Sequence, residues 1–386
     1  MRVLINAQCL TGAKTGVGHY TQQLARCLRA RSGADAIDTF PGFWLRNAYK
    51  VWTRVRPWLV RPAVGGGLDS LQQARQSFLQ RQLTAAYRRG GYDLYHEPNF
   101  IPLTDELPVV TTLHDLSVLL HPQWHSSERV AYFERYFHKS LSGCVHYLAV
   151  SEFGRQEIMR TLGLRPDQVT RTYPGVRPEL GPLPEASVQP TLRRQGLPPR
   201  YLLYVGTIEP RKNVQTLVRA YVELPAAVRE RYPLLLVGGW GWNSADMRQL
   251  LEDTRHLGVQ HVGYVADKHL PALYNGARAL VFPTFYEGFG SPPVEMMACG
   301  GAVLGSTAGA LMETVGKQAH LTDPHDLEGW RQALLRVTTD DDWWRHLRTG
   351  AREAVRPFTW DQCAADTLAV YRNLSGGNTK AERPAA

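Results

Sequence analysis

The sequence predicts an α/β protein made of two doubly wound, parallel-sheet domains in tandem, facing each other across a cleft. Short apolar runs alternate with amphipathic helical stretches along the chain, as strands covered on both faces by helices require. The 386 residues exceed one ordinary core and suit two domains of this class. Between the two series of alternating runs, residues 183–198 are polar and proline-rich and read as an interdomain linker.

Each element follows from its own pattern. The first domain, residues 1–182, has strand candidates at 3–6, 94–96, 109–113 and 147–150, with helical patterns such as 19–30 and 127–140 between them. The second, residues 199–360, has strand candidates at 201–205, 234–237, 262–264, 279–282 and 302–305. A helix over 361–374 follows, its return to the first domain left open, and 375–386 reads as a frayed tail. Ligands of open parallel sheets bind beyond the carboxyl ends of the strands. The chemistry is therefore expected on loops that follow strands.

Composition narrows the function classes. At 44% hydrophobic and 20% charged residues, the chain is not a disordered polymer. Five cysteines (Cys9, Cys27, Cys144, Cys299, Cys363) make an odd set without C-x-x-C spacing, which points to buried thiols rather than disulfides or structural zinc. The N-terminus lacks a leader pattern, and no run reaches the roughly 18 to 20 apolar residues of a membrane span. The expected location is the cytoplasm or the inner face of the cytoplasmic membrane.

A net charge of +9 suits an anionic partner: nucleic acid, an anionic lipid surface or a phosphorylated substrate. The basic residues form no nucleic-acid motif, so no nucleic-acid partner is expected. Residues 43–61 interleave aromatic and basic side chains without a single acid. That composition fits peripheral contact with an anionic membrane, or an ordinary helix with one basic face.

The segment richest in chemistry runs from Phe282 to Gly300. A strand ends at Phe282, a glycine-bearing loop follows, and a helix opens with Pro292 in its first turn, where proline is tolerated. The free N–H groups of Gly288, Phe289, Gly290 and Ser291 would face the cleft and suit a phosphate or a sugar hydroxyl. Glu287 in the loop and Glu295 in the helix, eight positions apart, would grip two parts of one ligand. The alternative is a glycine-rich turn with one solvated and one capping glutamate.

This E-x7-E segment resembles the signature of family 4 of the retaining glycosyltransferases, which have the GT-B fold. The runs 204–213 (Tyr-Val-Gly-Thr-Ile-Glu-Pro-Arg-Lys-Asn), 263–267, 270–274 and 277–283 are similar to the same family. The resemblance implies a hexosyltransferase that takes its sugar from a sugar nucleotide. Glu287 would then contact the transferred sugar and Glu295 the ribose. Arg211 and Lys212 would hold the diphosphate, although Thr207 stands where many relatives carry an arginine. Gly16, Val17 and Gly18 resemble the glycine-rich loop that approaches the diphosphate from the other domain. Lys14 beside them reads as a solvated loop charge. Tyr264 and Val265 would contact the base, with core packing as the alternative.

His114, at a strand end, is assigned to sugar or acceptor contact, with Asp115 as its orienting partner or as an acceptor base. His96 and Asn99 are weaker acceptor-side candidates. No cofactor and no metal is expected: the histidines lack ligand spacing, and Asp340, Asp341 and Asp342 read as a helix cap with first-turn acids. The run 206–213 resembles mannosyl-transferring members that use GDP-mannose, and the implied acceptor is a glycan or a lipid-linked glycan. The rivals are a sugar-nucleotide epimerase or another enzyme on the same architecture, and more remotely a nucleic-acid-binding protein. A phosphorylase would need a pyridoxal-phosphate lysine site, which the sequence does not display.

Overall fold

The computed structural model describes residues 1–11, 15–41, 68–242 and 245–376, so the aromatic–basic segment 43–61, Lys14 and the far tail lie outside the described residues. The first sheet contains β1 (Arg2–Asn6), β2 (Ala36–Phe40), β3 (Leu94–Glu97), β4 (Val109–Leu113), β5 (Cys144–Ala149) and β6 (Val169–Arg171). Its order is β2-β1-β3-β4-β5-β6, with every pair parallel.

The second sheet contains β7 (Tyr201–Val205), β8 (Leu234–Val237), β9 (Val259–Gly263), β10 (Ala277–Phe282), β11 (Ala302–Ser306) and β12 (His320–Thr322). It runs β12-β11-β10-β7-β8-β9, again all parallel. Strand order reverses between β1 and β3 in one sheet and between β7 and β10 in the other. Those two switch points are where such sheets bind ligands.

Central strands β4, β8 and β11 are buried at every position, as unbroken apolar runs between two helical layers must be. The strands absent from the sequence reading are β2, β6 and β12. All three are edge strands carrying polar residues, the composition that protects an open edge.

The helices that place the site are α1 (Gly16–Arg31), α2 (Glu152–Leu162), α3 (Glu185–Arg194), α4 (Leu270–Gly276), α5 (Ser291–Ala298) and α6 (Trp360–Gly376). Helix α1 begins earlier than expected because the Thr15 side chain caps it, accepting from the Gly18 N–H. Ser151 caps α2 in the same way through the Gly154 N–H, and Asp340 caps the helix Asp341–Arg348, the latter as the sequence suggested.

The expected linker is corrected. Its middle is helix α3, which buries Val188 and Leu192 beside α4 even though Pro190 lies inside it. Two apolar residues four apart form one helical face, and that packing outweighs the hydrogen bond lost to proline.

Helix α6 returns to the first domain and packs on α1. Tyr371 meets His96 at 2.5 Å, and Arg372 pairs with Asp35 at 3.0 Å. The two chain crossings are stitched together where the Val176 N–H donates to the Phe358 carbonyl at 3.0 Å. No helix among the described residues is long and apolar enough to cross a membrane.

A Cβ on Gly175 would lie 2.1 Å from the Trp360 nitrogen, whereas one on Gly181 would meet nothing within 4 Å. Gly175→Ala is therefore expected to cost about 1–3 kcal/mol or more through overpacking at the crossing, and Gly181→Ala to be near neutral. Denaturant unfolding of the two variants checks this; equal midpoints would disprove it.

Candidate active site

Two loops of the second domain meet at its switch point. After β7, the turn Pro210–Lys212 presents Arg211 and Lys212. After β10, the loop to α5 presents Glu287. The loops are tied together by Asn213, whose amide donates to the carbonyls of Pro283 at 3.0 Å and Pro324 at 2.8 Å. The Phe285 N–H, donating to the Arg211 carbonyl at 2.9 Å, adds a backbone tie. Asn213 sits at φ +54°, a conformation asparagine tolerates better than most residues.

The side chains form a buried ionic knot. Lys212 Nζ donates to Glu287 Oε1, which lies 3.5 Å from Arg211 Nη1 and accepts the Thr284 hydroxyl at 3.1 Å. Arg211 also donates to the Tyr286 carbonyl at 2.9 Å and to Glu209 at 3.0 Å. Burial alone would pull the Arg211 pKa down; the carboxylates of Glu287, Asp115 and Glu209 overcome that and hold it above its usual value.

The loop after Glu287 touches the first domain. A Cβ on Gly288 would lie 1.8 Å from the His114 carbonyl oxygen, so only glycine permits this contact. Gly290, at φ +83°, is the N-cap of α5. Phe289 turns its ring inward against Phe358 and Tyr173 and offers the cleft only its backbone. Among the described residues, the N–H groups of Gly288, Phe289 and Gly290 donate to no protein backbone acceptor, while Ser291 is exposed at the helix start.

Glu295, one turn into α5, is only 5% exposed. Its carboxylate accepts from Arg177 Nε at 2.7 Å and from the Tyr274 hydroxyl at 2.7 Å. Burial raises its pKa, and the Arg177 charge offsets part of the rise. Arg177 also pairs with Asp267 at 3.2 Å, and Asp267 lies 3.3 Å from His19 on α1. The sequence reading missed Arg177, Tyr274 and Asp267. Arg177 follows the unrecognised strand β6 in a Pro-Gly turn, and that turn was the available signal.

The first domain contributes His114 and the start of α1. His114 Nε2 lies 2.8 Å from the Pro98 carbonyl. A carbonyl only accepts, so Nε2 carries the proton and Nδ1 is left as an acceptor. Burial lowers the His114 pKa and favours this neutral form. Asp115 is corrected as the orienting partner, since that role belongs to the Pro98 carbonyl. Asp115 Oδ1 accepts instead from the Ser117 N–H at 2.9 Å and hydroxyl at 2.6 Å. Burial would raise the Asp115 pKa, but Arg211 and the Ser117 bonds bring it below the ordinary value, which makes it a weak base.

His96 is also corrected. It is fully buried, with Nε2 2.8 Å from the Thr112 hydroxyl and Nδ1 2.5 Å from that of Tyr371, and burial lowers its pKa to about 3. It holds α6 in place and has no edge left for an acceptor. Asn99 is exposed at the end of β3. Gly16 and Val17 open α1 rather than a loop, and Gly18 donates its N–H to the cap. Tyr264 is 68% exposed after β9, whereas Val265 packs partly against the core.

Further contacts close the gap between the lobes. The Tyr286 hydroxyl donates to Glu157 and accepts from the Leu116 N–H at 3.2 Å. Glu313 accepts from the N–H groups of Glu152 at 2.7 Å and Phe153 at 2.9 Å.

Residues 14–180 match the model for Glycosyltransferase Family 4, and residues 189–354 that for Glycosyl transferases group 1. The chain is 34% identical over 388 residues to the O-antigen chain mannosyltransferase B of Escherichia coli, covering 97% of this chain and 100% of that protein. It is 34% identical over 218 residues to the D-inositol 3-phosphate glycosyltransferase of Stackebrandtia nassauensis, covering 53% of this chain and 49% of that protein. Among solved structures, a sucrose-phosphate synthase from Thermosynechococcus elongatus superposes with a TM-score of 0.73 at 21% identity, over 98% of this chain and 100% of that one. WaaG, a glycosyltransferase involved in lipopolysaccharide biosynthesis, superposes with a TM-score of 0.72 at 14% identity, over 95% and 99%. With two facing doubly wound domains and a full-length relative of this kind, the chain belongs to glycosyltransferase family 4 and is a sugar-transferring enzyme of the GT-B fold.

Proposed function

We propose that the enzyme moves mannose from GDP-mannose to a glycan or lipid-linked acceptor, keeping the anomeric configuration, during polysaccharide assembly. The observation that carries this reading is the buried Lys212–Glu287–Arg211 knot at the carboxyl ends of β7 and β10, with His114 opposite and Glu295 in the following helix. The choice of mannose draws on the Escherichia coli relative and on the run 206–213.

On this reading the diphosphate lies against Arg211, Lys212 and the free N–H groups of 288–290. Glu295 accepts from the ribose hydroxyls, Glu287 from the sugar hydroxyls, and the exposed Tyr264 ring and the Val265 backbone border the base. Gly16, Val17 and Gly18 approach from the other lobe. The bond from the sugar C1 to the phosphate oxygen breaks while the bond to the acceptor oxygen forms on the same face. The acceptor proton passes to the departing phosphate oxygen. Side-chain cations placed where that charge builds contribute several kcal/mol, so the reading calls on no metal or cofactor. His114 Nδ1 accepts a hydroxyl of the sugar or the acceptor.

The reaction is placed at the inner face of the cytoplasmic membrane, with residues 43–61 as the contact to anionic lipid. Incubation with GDP-mannose and a mannose-terminated glycan, followed by NMR of the new anomeric centre, tests the whole reading. Conversion of the sugar nucleotide to its epimer without any acceptor would instead make the protein an epimerase. Calorimetry with GDP, UDP and ADP ranks the bases.

Lys212→Ala is expected to lower kcat by about 10²–10³ with folding intact, because Arg211 and Thr284 still hold Glu287. Near-normal turnover would refute the diphosphate role. Arg211→Ala is a poorer probe: it leaves Glu287, Glu209 and Asp115 without their common cation and is expected to destabilise the fold by about 3–5 kcal/mol. Glu295→Ala is expected to weaken nucleotide binding roughly 10- to 100-fold by calorimetry. An unchanged affinity removes its ribose role. Because burial depresses the His114 pKa, its ring charges only below the ordinary histidine value of about 6.5. An acid limb of kcat/KM is therefore expected below that pH, and it should vanish in His114→Asn.

A further inference from the structure

A cavity of about 430 Å³ lies on the floor of the second domain. Arg200 and Arg231 enter it from the turns before β7 and β8, and Arg278 from the start of β10. Trp344, Arg345 and Arg348 of the helix Asp341–Arg348 close its side. These are the amino ends of the strands, whereas substrates of the reaction belong at the carboxyl ends. The cavity is therefore no part of the catalytic cleft.

Its guanidinium groups are held in an ordered series. The Arg231 guanidinium carbon lies 5.2 Å from the Tyr232 ring centroid, and that of Arg278 lies 5.6 Å from the same ring. Arg278 is also 4.1 Å from the centroid of Trp344, and Arg348 is 4.4 Å from it. Stacking on aromatic faces fixes the plane of each guanidinium and so the direction of its donors. Trp344 is anchored in turn, donating from Nε1 to the Arg278 carbonyl at 2.7 Å, and Arg348 Nε donates to the Gly300 carbonyl at 2.8 Å. Burial lowers the Arg348 pKa and the neighbouring Arg278 charge adds to the fall, so like charges are gathered here at a cost.

The balance of charge selects the occupant. Five arginines line the cavity against two acids, Glu185 and Asp341. Arg278 is committed to Asp341 at 2.5 Å and Arg345 to Asp342. Among the described residues, Arg200, Arg231 and Arg348 form no ion pair, and neither does Glu185. Three unpaired cations beside one unpaired carboxylate leave two positive charges, which match the dianion of a phosphate monoester. Its three terminal oxygens accept from several directions, as donors from three separate segments require, whereas a carboxylate offers two oxygens in one plane. The volume exceeds a bare phosphate and falls in the range of small-molecule sites. Both rings are already engaged by guanidiniums, so the rest of the ligand meets polar groups: Glu185 and the side-chain oxygen of Gln189, whose nitrogen donates to the Pro199 carbonyl at 3.3 Å. We propose that this cavity binds a small hydroxylated phosphate monoester, with the phosphate on Arg200, Arg231 and Arg348 and the hydroxyls on Gln189 and Glu185. The proposal stands apart from the donor and acceptor readings and does not rest on them.

The test is titration calorimetry on the full chain, with GDP added first to fill the donor site. The probes are mannose 6-phosphate and glycerol 3-phosphate, with inorganic phosphate, citrate and methyl α-mannoside as the contrasting arms. At least one phosphate monoester is expected to bind at one equivalent per chain, roughly fivefold or more tighter than inorganic phosphate or citrate, and the uncharged mannoside not at all. Arg200→Met and Arg231→Met break no ion pair or side-chain hydrogen bond among the described residues, and each is expected to weaken the monoester roughly tenfold or more. Melting temperature and GDP affinity should stay those of the parent in both variants. The proposal is overturned if neither monoester binds, if both variants bind it as tightly as the parent, or if inorganic phosphate or citrate binds as tightly as the monoester. Failure of GDP to bind the parent would sink the proposed donor instead, and the two arginine variants would still decide the cavity.

Discussion

The contact on which the site depends is the salt-bridged cluster in which Lys212 and Arg211 share the Glu287 carboxylate. Charges buried this deeply are tolerable only when paired and hydrogen-bonded, because desolvation otherwise outweighs their attraction. The pairing also fixes geometry. Glu287 is held by two cations and Thr284, its carbonyl accepts the Ala310 N–H at 3.0 Å, and a Cβ on Gly309 would lie 2.4 Å from that same carbonyl. The loop backbone is therefore fixed at the cleft by contacts within the protein, and a substrate would require only side chains to exchange partners.

The cluster does not carry a surplus of positive charge. Glu209 and Asp115 face the same guanidinium as Glu287. On the proposed reading the diphosphate gains its binding energy by exchange: Lys212 turns from Glu287 to a phosphate oxygen, and Glu287 takes up neutral sugar hydroxyls instead. The amides of 288–290 add the rest, since a helix N-terminus favours an anion. The same logic applies at Glu295, where Arg177 and Tyr274 occupy the carboxylate in the absence of ligand. Arg177 comes from the segment joining the lobes, so on the proposed reading a ribose on Glu295 would bear directly on how the two domains are held together.

Much of this was legible in the chain itself. Unbroken apolar runs betray central strands, and a strand–glycine loop–helix order at 282–300 is a local signal that needs no partner to be read. Edge strands β2, β6 and β12 escaped because an edge must be polar and short, which erases the periodicity that reveals a strand. Helix α3 escaped because Pro190 and its neighbours look like linker, while its stability comes from Val188 and Leu192 against α4, a contact between distant segments. His96 misled for the opposite reason. Its strand-end position is right for function, but the side that would face a ligand is filled by Tyr371 of a helix 275 residues further on.

What separates the residues found from those missed is the range of the interaction that gives each its role. Glu287 and Glu295 lie in one loop–helix junction, so the single segment that carries the family resemblance contains them both. Arg177 matters only because α5 comes to it from the other lobe, and Arg200, Arg231 and Arg348 only because strand ends and the helix Asp341–Arg348 enclose one space. A lone arginine has no spacing to read. The unsatisfied nitrogens of Gln8 and Arg129 likewise become visible once the fold has buried them. Residues gathered in one loop–helix junction are therefore legible locally, while those brought together across the fold are written in tertiary contacts.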